Sequence, residues 1–212
     1  AFQVLQQVVE GRSEVLGSKH LETLKSKDRL GYTLAELGKH EEACRLKQQV
    51  VTVSKEVLGL KHLKTLAFQR NLAFTLCDLG KLNEALELMQ GVVATHLEIL
   101  GRRHVQTLKS RGQLARVLRA LGQLEEAVKL TEDVMAVQSE LLGPKHPSKL
   151  RSQDVLVSML YEVGRYKEAL EQSQSVLTMR IEVLGPKHPE TLQSQEKFEA
   201  FSTGVEPLSP PR

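Results

Sequence analysis

Apolar residues recur along this chain in alternating blocks, each at helical spacing. Leu24, Leu30, Gly31, Leu34 and Leu37 fall on one face of a 3.6-residue period. After Gly38 the series resumes with Ala43, Leu46, Val50, Val53 and Val57. Two such blocks separated by a glycine predict a helical hairpin. Gly38 stands where a short turn must leave the first helix with positive φ, and Gly59 where the second helix stops. No proline interrupts a block. Pro147 and Pro189 instead follow His146 and His188 at predicted helix entries, where a missing N–H costs nothing.

The hairpin repeats. The motif Leu-Gly-x-x-His-x-x-x-Leu starts at Leu16, Leu58, Leu100, Leu142 and Leu184, always 42 residues apart. In phase with it, Leu or Val followed by Gly-x-x-x-Glu-Ala places Gly38, Gly80, Gly122 and Gly164 ahead of Ala43, Ala85, Ala127 and Ala169. Self-similarity at a fixed period marks an all-α solenoid of stacked antiparallel hairpins, in which each unit buries its apolar face against its neighbours. About ten helices are expected. Residues 1–17 align without a gap on 43–59 and read as the second helix of a truncated repeat, as in a fragment of a longer array. Repeats follow at 18–59, 60–101, 102–143 and 144–185, then a capping helix at 186–201 and a Pro/Ser tail at 202–212 whose composition is that of a disordered segment. The opening helix is expected to leave Phe2, Leu5 and Val9 partly uncovered, an edge suited to self-association.

Net charge is +3 over 212 residues with 26% charged, a balance that selects neither nucleic acid nor membrane as partner. The apolar runs are far shorter than the ~20 residues that span a bilayer, and no basic-then-apolar leader opens the chain. Cys44 and Cys77 show no paired spacing, which argues against a disulfide framework or structural zinc and suits a cytoplasmic setting.

The Gly-to-Ala spacing, the pairs Leu30-Gly31, Leu72-Ala73 and Leu114-Ala115, and the hairpin length resemble tetratricopeptide repeats. The 42-residue period with LGPKHPSKL and LGPKHPETL is similar to the kinesin-light-chain type. That resemblance implies a right-handed superhelix whose first helices line a concave groove, and a role in protein or peptide recognition. The same long repeat recurs in the sensor arrays of signalling ATPases and in ciliary scaffolds. In the kinesin-light-chain group the first helices carry asparagines that clamp an extended peptide. The matching sites here read Asp28, Arg70, Gly112 and Asp154, with Asn71 at a neighbouring position, and two of the five His motifs keep the following proline.

Mapped through the resemblance, the groove comprises Lys25, Asp28, Tyr32, Arg70, Phe74, Lys109, Gly112, Arg116, Arg119, Arg151, Asp154, Ser158 and Tyr161. Arg70, Lys109, Arg116, Arg119 and Arg151 make its centre basic, which suits a ligand with carboxylate or phosphate groups. Alternatively, these arginines pair with Asp78, Asp154 and Glu162 in a solvated charge network, where isolated pairs contribute about 0–1 kcal/mol. Gly112 lies mid-helix at a cost of about 1 kcal/mol relative to Ala. It either opens the groove floor to a ligand backbone, or permits close packing of adjacent helices or is simply tolerated drift, and the second, structural reading is favoured.

His20, His62, His104, His146 and His188 sit at equivalent places on stacked helices, about 8–10 Å apart, too far to share a metal, so packing and capping is their expected role. No phosphate-cradling loop, HExxH or nucleophile-base set is present, so no catalysis, metal or cofactor is expected. A base-reading helical array wants the same readers in every repeat, which the varied groove positions do not supply. The chain therefore reads as a non-enzymatic cytoplasmic scaffold or protein-interaction module that binds a peptide or protein surface of acidic character. The alternatives are a self-assembly module docking on neighbouring regulatory domains of the signalling-ATPase type and, behind it, an RNA-binding repeat.

Overall fold

A computed structural model describes residues 2–203; of the tail predicted at 202–212, Ser202 and Thr203 are the end of the last helix instead, and the rest lies outside the described residues. The described residues divide into two compact units, with the division between Arg102 and Arg103. The first holds α1 (Phe2–Leu16), α2 (Leu21–Glu36), α3 (His40–Leu58), α4 (Leu63–Asp78) and α5 (Leu82–Leu100). The second holds α6 (Val105–Ala120), α7 (Leu124–Leu142), α8 (Pro147–Glu162), α9 (Tyr166–Leu184) and α10 (Pro189–Thr203). Among the described residues there is no strand. Within each unit every helix packs on its neighbour in sequence, and in the first unit α2 also touches α4. This is the stacked-hairpin arrangement that the period predicts.

The turns explain why the helices end where they do. Glu36 closes α2, and Gly38 then adopts φ 76°, a left-handed conformation that Gly reaches without steric cost. Gly38 N–H donates to the Ala35 carbonyl at 3.0 Å and Lys39 N–H to the Leu34 carbonyl at 2.9 Å, the paired bonds of a Schellman motif. Gln123 repeats the second bond to Leu118 and Arg165 to Leu160 in the other unit.

Each first helix begins with a histidine cap. His20 Nδ1 accepts from Glu22 N–H at 3.2 Å and His62 Nδ1 from Lys64 N–H at 3.1 Å. His104, His146 and His188 do the same for Gln106, Ser148 and Glu190. Each bond satisfies a donor that the helix itself cannot. The periodic histidines are thus capping residues, as the sequence suggests.

Ala43, Ala85, Ala127 and Ala169 are all fully buried, at the start of the second helices. Ala43 packs against Leu30 and Leu34, with Phe2, Leu5 and Val9 of α1 closing the cluster from the other side. Phe2, Leu5 and Val9 keep partial exposure, but the openly exposed apolar residues of α1 are Val4, Val8, Val15 and Leu16, with Val4 and Val15 the most exposed at 62% and 83%.

A size rule links the two helices of a hairpin. A Cβ added to Gly31 would stand 2.9 Å from Cγ of Lys47, whose stem passes across α2. One period on, the same two places hold Ala73 and Met89; in the second unit they hold Ala115 with Thr131, then Val157 with Ser173. All eight are buried. From the Gly31–Lys47 crossing to the Val157–Ser173 crossing the first-helix residue is larger and the second-helix residue smaller, a compensation that keeps bulk similar at these two close-packed crossings.

On the rim, Lys19 pairs with Glu56 and Lys61 with Glu98 in the first unit, and Arg103 with Glu140 and Lys145 with Glu182 in the second. All are solvent-exposed pairs contributing about 0–1 kcal/mol each. They tie successive inter-hairpin turns together rather than set the fold.

Candidate functional site

Five of the thirteen groove residues fall in the first unit and eight in the second, so each unit carries its own first-helix face.

In the first unit the face is built on α2 and α4. Asn71 Nδ2 donates to Asp28 Oδ2 at 2.7 Å, joining the two helices. Asp28 Oδ1 is buried and has no hydrogen-bond partner among the described residues. Burial pushes the Asp28 carboxyl above the usual range, against the Asn71 hydrogen bond and the charges of Lys47 and Arg70. Arg70 is half-buried, and that burial lowers its pKa against the attraction of Asp28. Beneath them lies Lys47, 4% exposed, donating from Nζ to Thr75 Oγ1 at 2.8 Å and to the Asn71 carbonyl at 3.4 Å. Its pKa is lowered by burial, with Asp28 opposing. Lys25 is engaged by Glu22 at 2.5 Å. Tyr32 is exposed, its hydroxyl held by Glu36, which raises its pKa. Phe74 is half-buried.

In the second unit α6 presents Lys109, Gly112, Arg116 and Arg119 at helical spacing, and α8 presents Arg151, Asp154, Ser158 and Tyr161. Lys109, Arg116 and Arg151 are exposed. Lys109 and Arg151 form no ion pair among the described residues. Arg119 holds both oxygens of Glu162 on the neighbouring first helix, so the charge-network alternative applies to this arginine. Asp154 is not available in the same way. Its Oδ2 accepts from Arg180, a 3% exposed residue of α9, at 2.5 Å. Arg180 also binds the Glu190 carbonyl and Ser194 Oγ on α10. Burial still raises the Asp154 carboxyl, with Arg180 the chief opposing charge. Ser158 Oγ donates to the Asp154 carbonyl at 3.2 Å, and Tyr161 stacks between Tyr166 and Phe201, with ring centroids 5.0 and 4.7 Å away.

Gly112 narrows one expectation to the groove-opening reading or tolerated drift. A Cβ there would meet nothing within 4 Å, so this glycine is not explained by close helix packing; that role belongs to Gly31.

Lys47 and Arg180 are the residues that sequence reasoning missed. A signal for Lys47 existed: its equivalents are Met89, Thr131 and Ser173, small or apolar side chains of an interior position. Arg180 had a weaker one, since the position four periods earlier is also an arginine, Arg12, which in the structure bonds Ser26 and the Glu22 carbonyl in the same fashion.

Among the described residues no group of three or more His, Cys, Asp or Glu could hold a metal ion, and no helix is long and apolar enough to cross a membrane.

The tetratricopeptide repeat family matches the chain at residues 24–90, 64–138 and 112–182. The chain belongs to that family. Among solved structures it is similar to a kinesin light chain-type protein of Podosopora anserina built of nearly identical TPR-like repeats, with 34% identity, 86% of each chain covered and a TM-score of 0.75. It is also similar in fold to BtubC (BKLC) from P. vanneervenii, at 14% identity, 95% of this chain and 82% of that one, with a TM-score of 0.79. A Rap protein complexed with Competence and Sporulation Factor matches at 13% identity, 93% of this chain and 51% of that one, with a TM-score of 0.73. No curated protein sequence matches the chain.

Proposed function

We propose that the chain is a non-enzymatic protein-interaction module whose first-helix faces bind a peptide segment or protein surface of acidic character. The observation that carries this reading is the exposed pair of cations in the second unit, Lys109 on α6 and Arg151 on α8, each without an ion pair among the described residues. Arg116 adds a third exposed cation on the same face of α6. Together they can meet a carboxylate or phosphate. In the first unit the Arg70 and Phe74 surface offers one charge and one apolar contact beside Asp28. The Rap neighbour, solved with its factor bound, lends general support through the shared fold.

The test is paired affinity capture from the source cell extract with wild type and Lys109→Glu/Arg116→Glu, read by mass spectrometry. A protein retained by wild type and lost from the variant is the expected result. Identical captured sets would refute the role of this face.

A second reading is favoured by the apolar stripe Val4, Val8 and Val15, exposed on one side of α1. Here the chain is a self-assembly module, and a second copy covers the stripe. Light scattering that finds only monomer over a hundredfold concentration range would rule it out.

A further inference from the structure

Two residues before each glycine of the inter-hairpin turns the chain carries a branched apolar residue: Val15, Val57, Ile99, Leu141 and Val183. All five are exposed, by 38% to 83%. Their neighbours in the turn have structural duties. The glycine takes a positive φ, the histidine three residues later caps the next helix, and the preceding glutamate, from Glu56 onward, accepts the rim ion pair. The apolar residue has none of these roles. Other exposed places do not hold their chemistry, since Arg45, Glu87, Lys129 and Glu171 share one outer position and alternate in sign. Single exposed apolar residues are ordinary on a protein surface, but a row that stays apolar in every repeat marks a surface to be covered.

The first unit shows what covers it. Lys19 reaches Glu56 at 3.2 Å and Lys61 reaches Glu98, so the turns that carry Val15, Val57 and Ile99 stand side by side. The middle turn is the most apolar, with Leu60 65% and Leu63 43% exposed beside Val57. The equivalents of Leu60 in the flanking turns are Ser18 and Arg102. Along the rim the charges alternate in the order Lys19, Glu56, Lys61, Glu98. A series of that kind read backwards sets a carboxylate against every cation, so the edge is complementary to itself after a two-fold rotation. Lys19 then faces Glu98 of the second copy and Glu56 faces Lys61 of the second copy. The same rotation lays Val15 against Ile99 of the second copy and brings the apolar middle turn onto its own equivalent. An apolar centre with a charged border is the anatomy of a protein interface. Three turns of about seven residues supply about 20 residues a side, the lower end of a standard interface.

We propose that the inter-hairpin edge of the first unit is a two-fold dimerisation surface for a second copy of this chain: two edges lie antiparallel, Val57 and Leu60 of each copy meet at the axis, and the alternating rim charges interlock. The contact is isologous and closes at two copies. It uses neither the first-helix faces nor Val4 and Val8 of α1, so it stands independently of both readings given above.

The test is sedimentation equilibrium of the full chain across a wide concentration range, comparing wild type, Val57→Lys and Val8→Lys. Wild type is expected to rise from one chain mass to two. Val57→Lys should weaken the dimer by at least about tenfold, because it sets like charges against each other at the axis. Its thermal unfolding should stay near wild type, since position 57 is exposed and a cation is favourable in the last turn of a helix. Val8→Lys should dimerise as wild type does. The register is read by mild oxidation: Val57→Cys should give a disulfide-linked dimer, the axis holding the two residues within disulfide reach, whereas Arg45→Cys, exposed on the outer side of α3, should not. A wild type that is monomeric at every concentration would overturn the proposal. So would a dimer that survives Val57→Lys and is lost in Val8→Lys, which would place the contact on the α1 stripe. If both lysine variants are monomeric, the cross-link at position 57 decides, and its absence overturns the edge.

Discussion

Asp154 and Arg180 are joined within the second unit, carboxylate to guanidinium at 2.5 Å, with only 19% and 4% of their side chains exposed. Removing one member of such a pair strands the other without its partner, whereas replacing both with neutral residues does not. Arg180→Met should therefore destabilise the chain by about 3–5 kcal/mol. Asp154→Asn with Arg180→Gln should recover most of that loss, as the neighbouring hairpin already manages with Gly112 and Gln138. Urea unfolding of the full double-mutant cycle measures the coupling, and strictly additive losses would show that the pair is not energetically linked.

The two mid-helix glycines of the first helices should respond in opposite directions. Gly112→Ala gains about 1 kcal/mol of helix propensity in open space. Gly31→Ala earns the same propensity but forces its methyl group against Lys47 Cγ at 2.9 Å, and overpacking of that kind costs about 1–3 kcal/mol. Adding Lys47→Thr, which recreates the Ala115–Thr131 pairing, should relieve the strain. Thermal melts of the three variants check both signs.

Asp28 predicts a pH dependence in the first unit. Its folded carboxyl titrates above the ordinary value of 3.8 because burial disfavours the charge. The folded state then holds the proton longer than the unfolded state, so this residue's contribution to stability falls as pH rises from 3.8 through the raised value and is constant above it. Asp28→Asn retains an acceptor for Asn71 and abolishes the titration. The stability difference should shift in favour of the variant across that window and then level off. A difference that does not change with pH, measured by urea unfolding, would mean that Asp28 is not desolvated.

The histidine caps can be tested by isolating their acceptor. His62→Ala should cost about 1 kcal/mol, while His62→Asn, which also offers an acceptor to the Lys64 N–H, should stay near wild type. Equal losses in chemical denaturation for both would place the value of His62 in its packing instead.

The helices and turns were legible because the signals that specify them are local and repeated. Gly38, His62 and Ala43 act on neighbours within a few residues, and the 42-residue period presents each of them several times over. The groove positions were harder, because their chemistry depends on partners far along the chain. Asp154 reads as a groove carboxylate until Arg180 is brought beneath it. Arg119 looks like an anchor for a ligand until Glu162 occupies it. Lys47 fails a hydropathy reading altogether, since a lysine counts as polar even where its stem fills a core crossing and its ammonium finds a threonine hydroxyl. Gly112 was visible as an oddity, but whether the space beside it was filled or empty could only come from the neighbouring helices.

The volume compensation between the Gly31–Lys47 and Val157–Ser173 crossings bears on how such an array can be edited. Each of these first helices is matched in bulk to the second helix of its own hairpin, so Val157 grafted opposite Lys47 would collide and Gly31 opposite Ser173 would leave a hole. Duplication, deletion or engineered shuffling should therefore succeed when the breakpoints fall in the His-containing turns between hairpins and fail when they fall at Gly38 or Gly122 within one, which makes the hairpin the smallest portable piece of the chain.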